Sequence, residues 1–366
     1  MNATRQLQKL GQSLWLDNIT RGLLDDGTLK RYIDDLAVTG LTSNPTIFQK
    51  AIQGTSFYDE AIARKSREGK AGEDLFFDLA IEDLTRAADL FLPAHQASAG
   101  VDGWVSLEVS PLLANDATAT VRAATALHRR AGRPNLFIKI PGTEAGLKAI
   151  EESIFSGVPI NVTLLFSRGQ YLAAADAYLR GIERRLQAGL PPVVRSVASL
   201  FVSRWDVAVQ NKVGAALHNR LGIAVARETY AAYRTLLASP RWKKLAAAKA
   251  QPQRLLWAST GTKDPQASDT LYVEALTAAD TINTIPEKTL MAFADHGHPG
   301  TPLEQQKAPD PAELAAFRTA GIDLDALAVR LQDEGTEAFD RSWRSLLQGI
   351  EAKSAALGAA ASGSRG

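Results

Sequence analysis

A lysine inside an otherwise apolar strand pattern is the first candidate for chemistry. The segment from Asn135 to Thr143 reads NLFIKIPGT, with Lys139 among β-favouring residues and a Pro-Gly turn directly after them. Alternation along a strand puts Lys139 on the same face as Phe137 and opposite Ile138. Burial disfavours the charged form of an amine, so a lysine enclosed there is suited to attack a carbonyl carbon. The alternative is a lysine that ends its strand and reaches solvent.

Polar side chains also stand near the carboxyl ends of six further apolar segments, in matching register. They are Asp17, Asn44, Glu108, Thr163, Ser199 and Ser259. Along the sixth segment Phe201 follows Ser199 by one pleat, and along the seventh Ser259 is predicted to share a face with Trp257. One polar residue at a strand end is ordinary loop chemistry, but seven in one register, with Lys139 included, favour a common site.

These residue types suggest roles around the lysine. A lysine amine that forms a Schiff base with a ketose creates an electron sink for cleavage of a carbon–carbon bond. Such a reaction needs proton transfer, for which Glu108 with the Thr163 hydroxyl could hold a water molecule and Asp17 could serve a second hydroxyl. Asn44 and Ser199 are suited to hydrogen bonds with the hydroxyl groups of a bound ligand.

Two cations follow the sixth and seventh segments. Arg204 and Lys263 come just after the strand ends, where barrels commonly bind phosphate groups. The alternative for each, taken alone, is a solvated surface charge.

The elements that must position these residues alternate along most of the chain. Eight short apolar segments are predicted as strands, separated by helical patterns: 13–17, 40–44, 104–109, 135–140, 158–165, 195–202, 254–259 and 280–285. Strands that alternate with helices predict an α/β fold, and eight of them favour a closed (β/α)8 TIM barrel with additional C-terminal helices. In such a barrel the carboxyl ends of all strands open onto one site.

The same pattern predicts the domain organisation. Residues 1–298 are expected to form the barrel, and residues 299–357 a helical extension of two or three helices packed on it. Residues 358–366 are small and polar and are predicted to be a disordered tail.

Composition narrows the classes of function. The 366 residues include 41 basic and 40 acidic side chains, which argues against recruitment to nucleic acid or to an anionic membrane. The absence of cysteine excludes disulfides, thiolate catalysis and cysteine-ligated metals. The fragment DHGH at 295–298 is interpreted as a polar loop rather than a metal site.

No apolar run approaches the length of a membrane span, and the polar first 16 residues do not resemble a signal peptide, so a cytoplasmic protein is predicted.

Taken together, the motifs make the chain similar to a known family. It resembles the transaldolases, Schiff-base enzymes of the pentose phosphate pathway, most closely the longer bacterial type. The resemblance spans most of residues 14–298 and is carried by LWLDNITR (14–21), GLTSNPTIF (40–48), WVSLEVSP (104–111), LFIKIPGT (136–143), INVTLLFS (160–167), ASLFVSRWD (198–206), LLWASTGTK (255–263) and DTINTIP (280–286).

The resemblance implies a barrel enzyme without cofactor or metal. It implies transfer of a dihydroxyacetone unit from sedoheptulose 7-phosphate to glyceraldehyde 3-phosphate, which yields erythrose 4-phosphate and fructose 6-phosphate. Lys139 would then be the Schiff-base lysine, Glu108 and Thr163 the pair that holds the catalytic water, and Asp17 the acid/base at the cleaved bond. The family's binding roles fall on further positions: Asn44 and Ser199 for the dihydroxyacetone unit, Arg204 and Ser259 for phosphate.

Two positions bear on phosphate binding and on reaction type. Many transaldolases carry an arginine two residues after the serine of the seventh strand, where this chain has Gly261 and then Lys263 as the nearest cation. Lysine neutralises phosphate but lacks the bidentate fork of arginine. Phe201 stands where related fructose 6-phosphate aldolases tend to carry tyrosine, so phenylalanine favours transfer over cleavage.

Two other functions remain open from the sequence. One is an aldolase of the same barrel type that acts on fructose 6-phosphate and releases free dihydroxyacetone. The other is a non-catalytic sugar-phosphate binding protein. Sugar phosphates are the expected partners in every case, and the protein is expected to be a monomer or a homodimer.

Overall fold

Eight parallel strands form the centre of the molecule. The structure is a computed structural model that describes residues 2–363, and for residues 360–363 only the backbone. The strands are β1 (Ser13–Leu16), β2 (Val38–Leu41), β3 (Val105–Glu108), β4 (Leu136–Pro141), β5 (Ile160–Leu165), β6 (Ser196–Phe201), β7 (Gln253–Ala258) and β8 (Ile282–Ile285). They pair in the order β2-β1-β8-β7-β6-β5-β4-β3, all parallel.

The sheet closes between β2 and β3. The Leu41 amide donates to the Trp104 carbonyl and the Gly103 amide donates to the Thr39 carbonyl, each at 2.9 Å. These two bonds join the ends of the eight-strand order. The predicted (β/α)8 barrel is confirmed.

Sixteen helices surround and extend the barrel within the described residues. They are α1 (Ala3–Lys9), α2 (Arg21–Asp25), α3 (Thr28–Leu36), α4 (Pro45–Gly54), α5 (Asp59–Arg67), α6 (Gly72–Ala97), α7 (Ala117–Ala131), α8 (Glu144–Phe155), α9 (Arg168–Gln187), α10 (Ser203–Val209), α11 (Leu221–Ala238), α12 (Pro240–Ala247), α13 (Leu271–Ala275), α14 (Glu287–His296), α15 (Pro311–Thr319) and α16 (Leu324–Gly363).

Local sequence explains where the helices that follow the site strands begin. Asn44 caps α4 by accepting from the Ile47 amide at 3.0 Å, with Pro45 in the first turn. Thr143 caps α8 in the same way. Ser167 and Gln170 form a capping box at the start of α9.

Several predicted element bounds differ from the structure. The second strand runs over Val38–Leu41, so Asn44, predicted to close it, lies beyond it at the helix cap. The predicted helix over 211–237 begins only at Leu221, because Asp206 accepts hydrogen bonds from the Leu221 and Gly222 amides and caps α11 there.

The C-terminal extension consists of α15 and α16, in agreement with two or three predicted helices. Helix α16 continues through Gly363, so residues 358–363 are helical where a disordered tail was predicted. Residues 364–366 of that tail lie outside the described residues. The division into a barrel over 1–298 and an extension over 299–357 stays a prediction.

The inside of the barrel has an aromatic layer below its carboxyl end. Trp104 and Phe137 stack with ring centroids 4.0 Å apart, and Trp15 lies 6.3 Å from Phe137. All three are buried. These three rings form a packed apolar layer inside the barrel, with the polar side chains of the strand ends above it.

Candidate active site

The carboxyl ends of the strands enclose one cavity of about 120 Å³. Nine of the ten sequence-predicted residues line it: Asp17, Asn44, Lys139, Thr163, Ser199, Phe201, Arg204, Ser259 and Lys263. The tenth, Glu108, contacts Lys139 directly. Larger surface grooves of about 450 and 410 Å³ border α9 and α11, but none of the ten candidate side chains lines them.

Lys139 is enclosed at the centre of this cavity. Its side chain is 6% exposed, and its Nζ donates to the Ser43 carbonyl at 2.9 Å. The same nitrogen lies 3.3 Å from Glu108 Oε2. The ring of Phe339 has its centroid 6.0 Å away. The amine is therefore held by a carbonyl and a carboxylate instead of by bulk water, in an environment typical of nucleophilic lysines.

Two carboxyl groups flank the lysine in different surroundings. Asp17 is only partly buried, and its Oδ1 accepts from the Thr42 hydroxyl at 2.7 Å. Burial raises the pKa of Asp17, and the positive charges of Lys139, Lys263 and Arg204 oppose that rise without cancelling it. This carboxyl is thus suited to take up and return a proton at the cavity wall.

Glu108 lies deeper, with only 6% of its side chain exposed. Desolvation raises its pKa, the adjacent Lys139 lowers it, and the charge of Asp17 adds to the rise. The Thr163 hydroxyl is buried and has no hydrogen-bond partner among the described residues. A buried hydroxyl without a protein partner, in the cavity that Lys139 lines and with Glu108 against that lysine, is suited to hold a small polar molecule.

A chain of polar side chains crosses the barrel below the amine. The Ser199 hydroxyl donates to Asn161 Oδ1 at 2.7 Å, and Asn161 Nδ2 donates to the Ser106 hydroxyl at 3.1 Å. This chain fixes the orientation of Ser199. The Asn44 Oδ1 is engaged as the α4 cap, which leaves its amide nitrogen as a hydrogen-bond donor for a ligand in the cavity that Asn44 lines.

The cations gather at the other side of the cavity. The Arg204 guanidinium lies over the Phe201 ring with its Cζ 5.0 Å from the centroid, and burial lowers the Arg204 pKa. The Lys263 side chain is exposed, and its Nζ lies 3.7 Å from the point where a side chain at Gly261 would begin. Lys263 thus places a positive charge beside Gly261, the position at which an arginine is expected in many members of the family that the chain resembles.

The seventh strand departs from the predicted face alternation. Trp257 packs in the outer core between strands and helices, while Leu256 and Ala258 face the inner cluster, so Trp257 does not share a face with Ser259. Ser259 has φ 55°, a left-handed conformation that ends the alternation directly after β7. Its side chain still lines the cavity, where its hydroxyl lies 2.9 Å from that of Ser203.

Six lining residues were not among the predicted site residues: Thr42, Ala258, Gly261, Thr284, Pro286 and Phe339. Thr42 and Thr284 have their hydroxyl oxygens 2.7 Å apart, and Thr42 also holds Asp17. The position of Thr42, one pleat before Asn44, was a signal that could have identified it. Phe339 comes from α16, and nothing in the strand pattern points to it.

Two kinds of feature are absent from the described residues. Across residues 2–363, no cluster of three or more metal-ligating side chains is suitably placed for a metal ion. Over the same residues, no helix has both the length and the apolar character needed to traverse a lipid bilayer.

Comparison with known proteins agrees with the geometry. A family model described as Transaldolase/Fructose-6-phosphate aldolase matches residues 14–350. A transaldolase of Thiobacillus denitrificans is 46% identical over 96% of this chain and 100% of its own length. Transaldolases of a Parafrankia species and of Neisseria gonorrhoeae are 44% and 40% identical, covering 97% and 95% of this chain and 98% and 99% of their own. The chain is thus an enzyme that belongs to the transaldolase/fructose-6-phosphate aldolase family.

Proposed function

We propose that this enzyme is a transaldolase that works through a Schiff base on Lys139. The donor is sedoheptulose 7-phosphate, the acceptor glyceraldehyde 3-phosphate, and the products erythrose 4-phosphate and fructose 6-phosphate. The observation that carries the proposal is the enclosed Lys139 amine, 3.3 Å from Glu108, in one cavity with Asp17. The full-length similarity to proteins named transaldolase supports the same activity.

The proposed reaction begins at the amine. Nζ of Lys139 adds to the ketone carbon of the donor, and loss of water through proton transfers at Glu108 and Thr163 leaves an iminium. Asp17 then removes the proton of the hydroxyl on the carbon two removed from the iminium carbon. The bond between that carbon and the intervening carbon breaks, its electron pair forms the enamine on the lysine-bound fragment, and the deprotonated hydroxyl becomes the carbonyl of the first aldehyde. After the first aldehyde leaves, the enamine attacks the acceptor aldehyde carbon, and Asp17 returns the proton to the new alkoxide. Water then hydrolyses the iminium.

The remaining lining residues support binding of the sugar phosphate. In this proposal the Asn44 amide nitrogen donates to a hydroxyl group of the dihydroxyacetone unit, and the Ser199 hydroxyl oxygen, which donates to Asn161, accepts from another. Arg204 supplies a planar guanidinium for the phosphate, and Ser259 and Lys263 add a hydroxyl and a second positive charge. Sugar phosphates as the substrates, action in the cytoplasm, no binding of nucleic acid, and a monomer or homodimer remain predictions.

The direct test is borohydride reduction in the presence of fructose 6-phosphate, followed by peptide mass mapping. The expected result is a reduced three-carbon adduct on the peptide that contains Lys139. Lys139→Ala is expected to abolish both the adduct and the transfer activity while its far-UV circular dichroism stays normal. An unmodified Lys139 peptide in active protein, or activity in folded Lys139→Ala, would refute the Schiff base at this residue.

Acceptor dependence separates transfer from simple cleavage. With fructose 6-phosphate alone the enzyme is expected to turn over slowly, and addition of erythrose 4-phosphate is expected to restore rapid turnover. The phenyl ring of Phe201, which carries no hydroxyl group, favours the transferase. Fast release of dihydroxyacetone without an acceptor would instead identify a fructose 6-phosphate aldolase.

A further inference from the structure

Helix α16 is fastened across the carboxyl end of the barrel on two sides. Near its start, Gln332 Nε2 donates to the carbonyls of Gly142 and Leu164 at 3.1 and 2.9 Å, at the ends of β4 and β5. Further along, Trp343 donates from its indole nitrogen to Glu73 Oε1 at 2.9 Å. The Trp343 ring packs with its centroid 4.9 Å from that of Phe76. The helix is therefore held in one position relative to the cavity.

Phe339 lies between these two attachments on the same face of α16. It follows Gln332 by two helical turns and precedes Trp343 by one, which places the three side chains in one stripe. Its ring is 5% exposed and has its centroid 6.0 Å from Lys139 Nζ. Of the described residues that line the cavity, Phe339 is the only one beyond position 286. The extension thus contributes an apolar ring to the cavity wall beside the nucleophile, in addition to the apolar lining from Phe201, Ala258 and Pro286.

We propose that Phe339 determines how the carbon unit bound to Lys139 divides between transfer and release. The inference rests on the proposed transaldolase function. Release of the three-carbon unit requires protonation of the enamine, then addition of water to the iminium carbon and breakage of the carbon–nitrogen bond, which restores the free amine and the ketone. Transfer requires that the enamine persist until an acceptor aldehyde enters. An apolar ring beside the nitrogen limits the water available for release and leaves the enamine to the acceptor.

The position of Phe339 distinguishes this role from general packing. Its neighbours Gln332 and Trp343 already attach the helix, so the ring itself is not needed for attachment. Val329 lies on the same helix, away from the cavity, and 58% of its surface is exposed. Val329→Ala therefore serves as the matched control, because it also removes an apolar side chain from α16.

The test measures two products from one reaction mixture. Phe339→Ala, Phe339→Val and Val329→Ala are each supplied with fructose 6-phosphate and erythrose 4-phosphate, and free dihydroxyacetone is measured against sedoheptulose 7-phosphate formed. The ratio of the two does not depend on the fraction of protein that is folded. We expect the ratio to rise about tenfold in Phe339→Ala and about threefold in Phe339→Val, because each enlarges the space for water beside the imine. Val329→Ala is expected to leave it unchanged.

The outcomes separate the inference from the proposed function. If the unaltered enzyme transfers the unit and gives the Lys139 adduct, but the ratio stays constant in Phe339→Val and in Phe339→Ala, the role of Phe339 is refuted and the transaldolase proposal stands. An equal rise in Val329→Ala would also refute it. If the unaltered enzyme gives neither adduct nor transfer, the proposed function fails and the inference fails with it. Should Phe339→Ala not fold, Phe339→Val alone decides.

Discussion

At the scale of single residues, the carboxyl groups of Glu108 and Asp17 both lie near Lys139 but differ in their contacts and their exposure. Glu108 lies 3.3 Å from Lys139 Nζ and is nearly enclosed, whereas Asp17 is held by Thr42 and reaches the cavity. Burial raises the pKa of both. Two groups with raised pKa values around one amine hold a proton more readily than ordinary carboxyl groups, which suits a reaction with several proton transfers.

Replacement of Glu108 by Gln is expected to slow the reaction by about 10²-fold, the size typical of a lost acid/base group. Glutamine keeps the shape of the side chain but cannot accept a proton from the amine. The turnover rate with saturating substrates is the measurement, with far-UV circular dichroism as the control for folding. A rate within about threefold of the unaltered enzyme would remove Glu108 from the mechanism.

Replacement of Asp17 by Asn is expected to stabilise the protein at pH 7 while it removes activity. The folded-state pKa of Asp17 lies above its ordinary value of 3.8, so between these two values the folded state binds more protons than the unfolded state. The contribution of Asp17 to the free energy of unfolding therefore falls as pH rises from its ordinary pKa to its folded-state pKa. Above the folded-state pKa, the full destabilising effect of the buried charge is present. Asparagine has no charge, and its carbonyl still accepts from Thr42.

Urea denaturation of both proteins at several pH values is the measurement. The free energy of unfolding of Asp17→Asn should exceed that of the unaltered enzyme at pH 7, and the difference should shrink as pH falls towards 3.8. A lower stability of the variant at pH 7 would show that the attraction of Asp17 to the nearby cations outweighs its desolvation.

At the scale of secondary-structure elements, the candidate site is formed by the carboxyl ends of the strands and by α16, a helix far along the chain from them. The strands supply Asp17, Lys139 and Ser199, whereas α16 supplies Phe339 and approaches β5 and α10 at Gly335. A Cβ at Gly335 would lie 2.9 Å from Leu164 Cδ2 and 3.2 Å from an Arg204 guanidinium nitrogen. The absence of a side chain at 335 therefore leaves room for Arg204.

Gly335→Ala is expected to raise the KM for glyceraldehyde 3-phosphate by about tenfold, because the added methyl group displaces the Arg204 guanidinium from its position beside the cavity. Alanine favours a helix by about 1 kcal/mol over glycine, so stability is expected to change little. Unphosphorylated glyceraldehyde is the matched control, and its KM should not change. An equal effect on both acceptors would contradict a phosphate role for Arg204.

At the scale of the whole molecule, the barrel depends on its closure between β2 and β3. Gly40 lies in β2 at this seam, and a Cβ there would meet the Trp104 carbonyl oxygen and the Trp15 ring, each at 2.7 Å. Trp15 is also held by its indole nitrogen, which donates to Asp102 Oδ1 at 2.7 Å. A backbone carbonyl and a buried indole have little freedom to shift.

Gly40→Ala is expected to reduce the free energy of unfolding by about 2 kcal/mol or more, because overpacking here strains the seam of the barrel. The measurement is the urea midpoint at constant m-value. Gly54→Ala at the end of α4 is the matched control, since no atom lies within 4 Å of a Cβ added there, and it should unfold near the unaltered midpoint. Equal midpoints for the two variants would show that the seam tolerates a methyl group.

Local patterns in the chain were enough to predict the eight strands of the barrel and most of the candidate site. A run such as LFIKIPGT specifies a buried strand and the face of its lysine by local alternation, and parallel strands in a barrel bring their carboxyl ends together. Nine of ten predicted residues line one cavity for that reason. The two cations that line the cavity, Arg204 and Lys263, were predictable in the same way from their places just after strand ends, and their role in phosphate binding stays a proposal.

Features that depend on contacts between residues far apart in the chain could not be predicted from local patterns. The left-handed backbone of Ser259 and the outward packing of Trp257 reverse a face assignment that alternation alone predicts. The place of Phe339 beside Lys139 depends on where α16 is attached to Gly142, Leu164 and Glu73. Periodicity is a property of neighbouring residues, whereas the path of a C-terminal helix over a barrel is set by contacts among residues far apart in the chain.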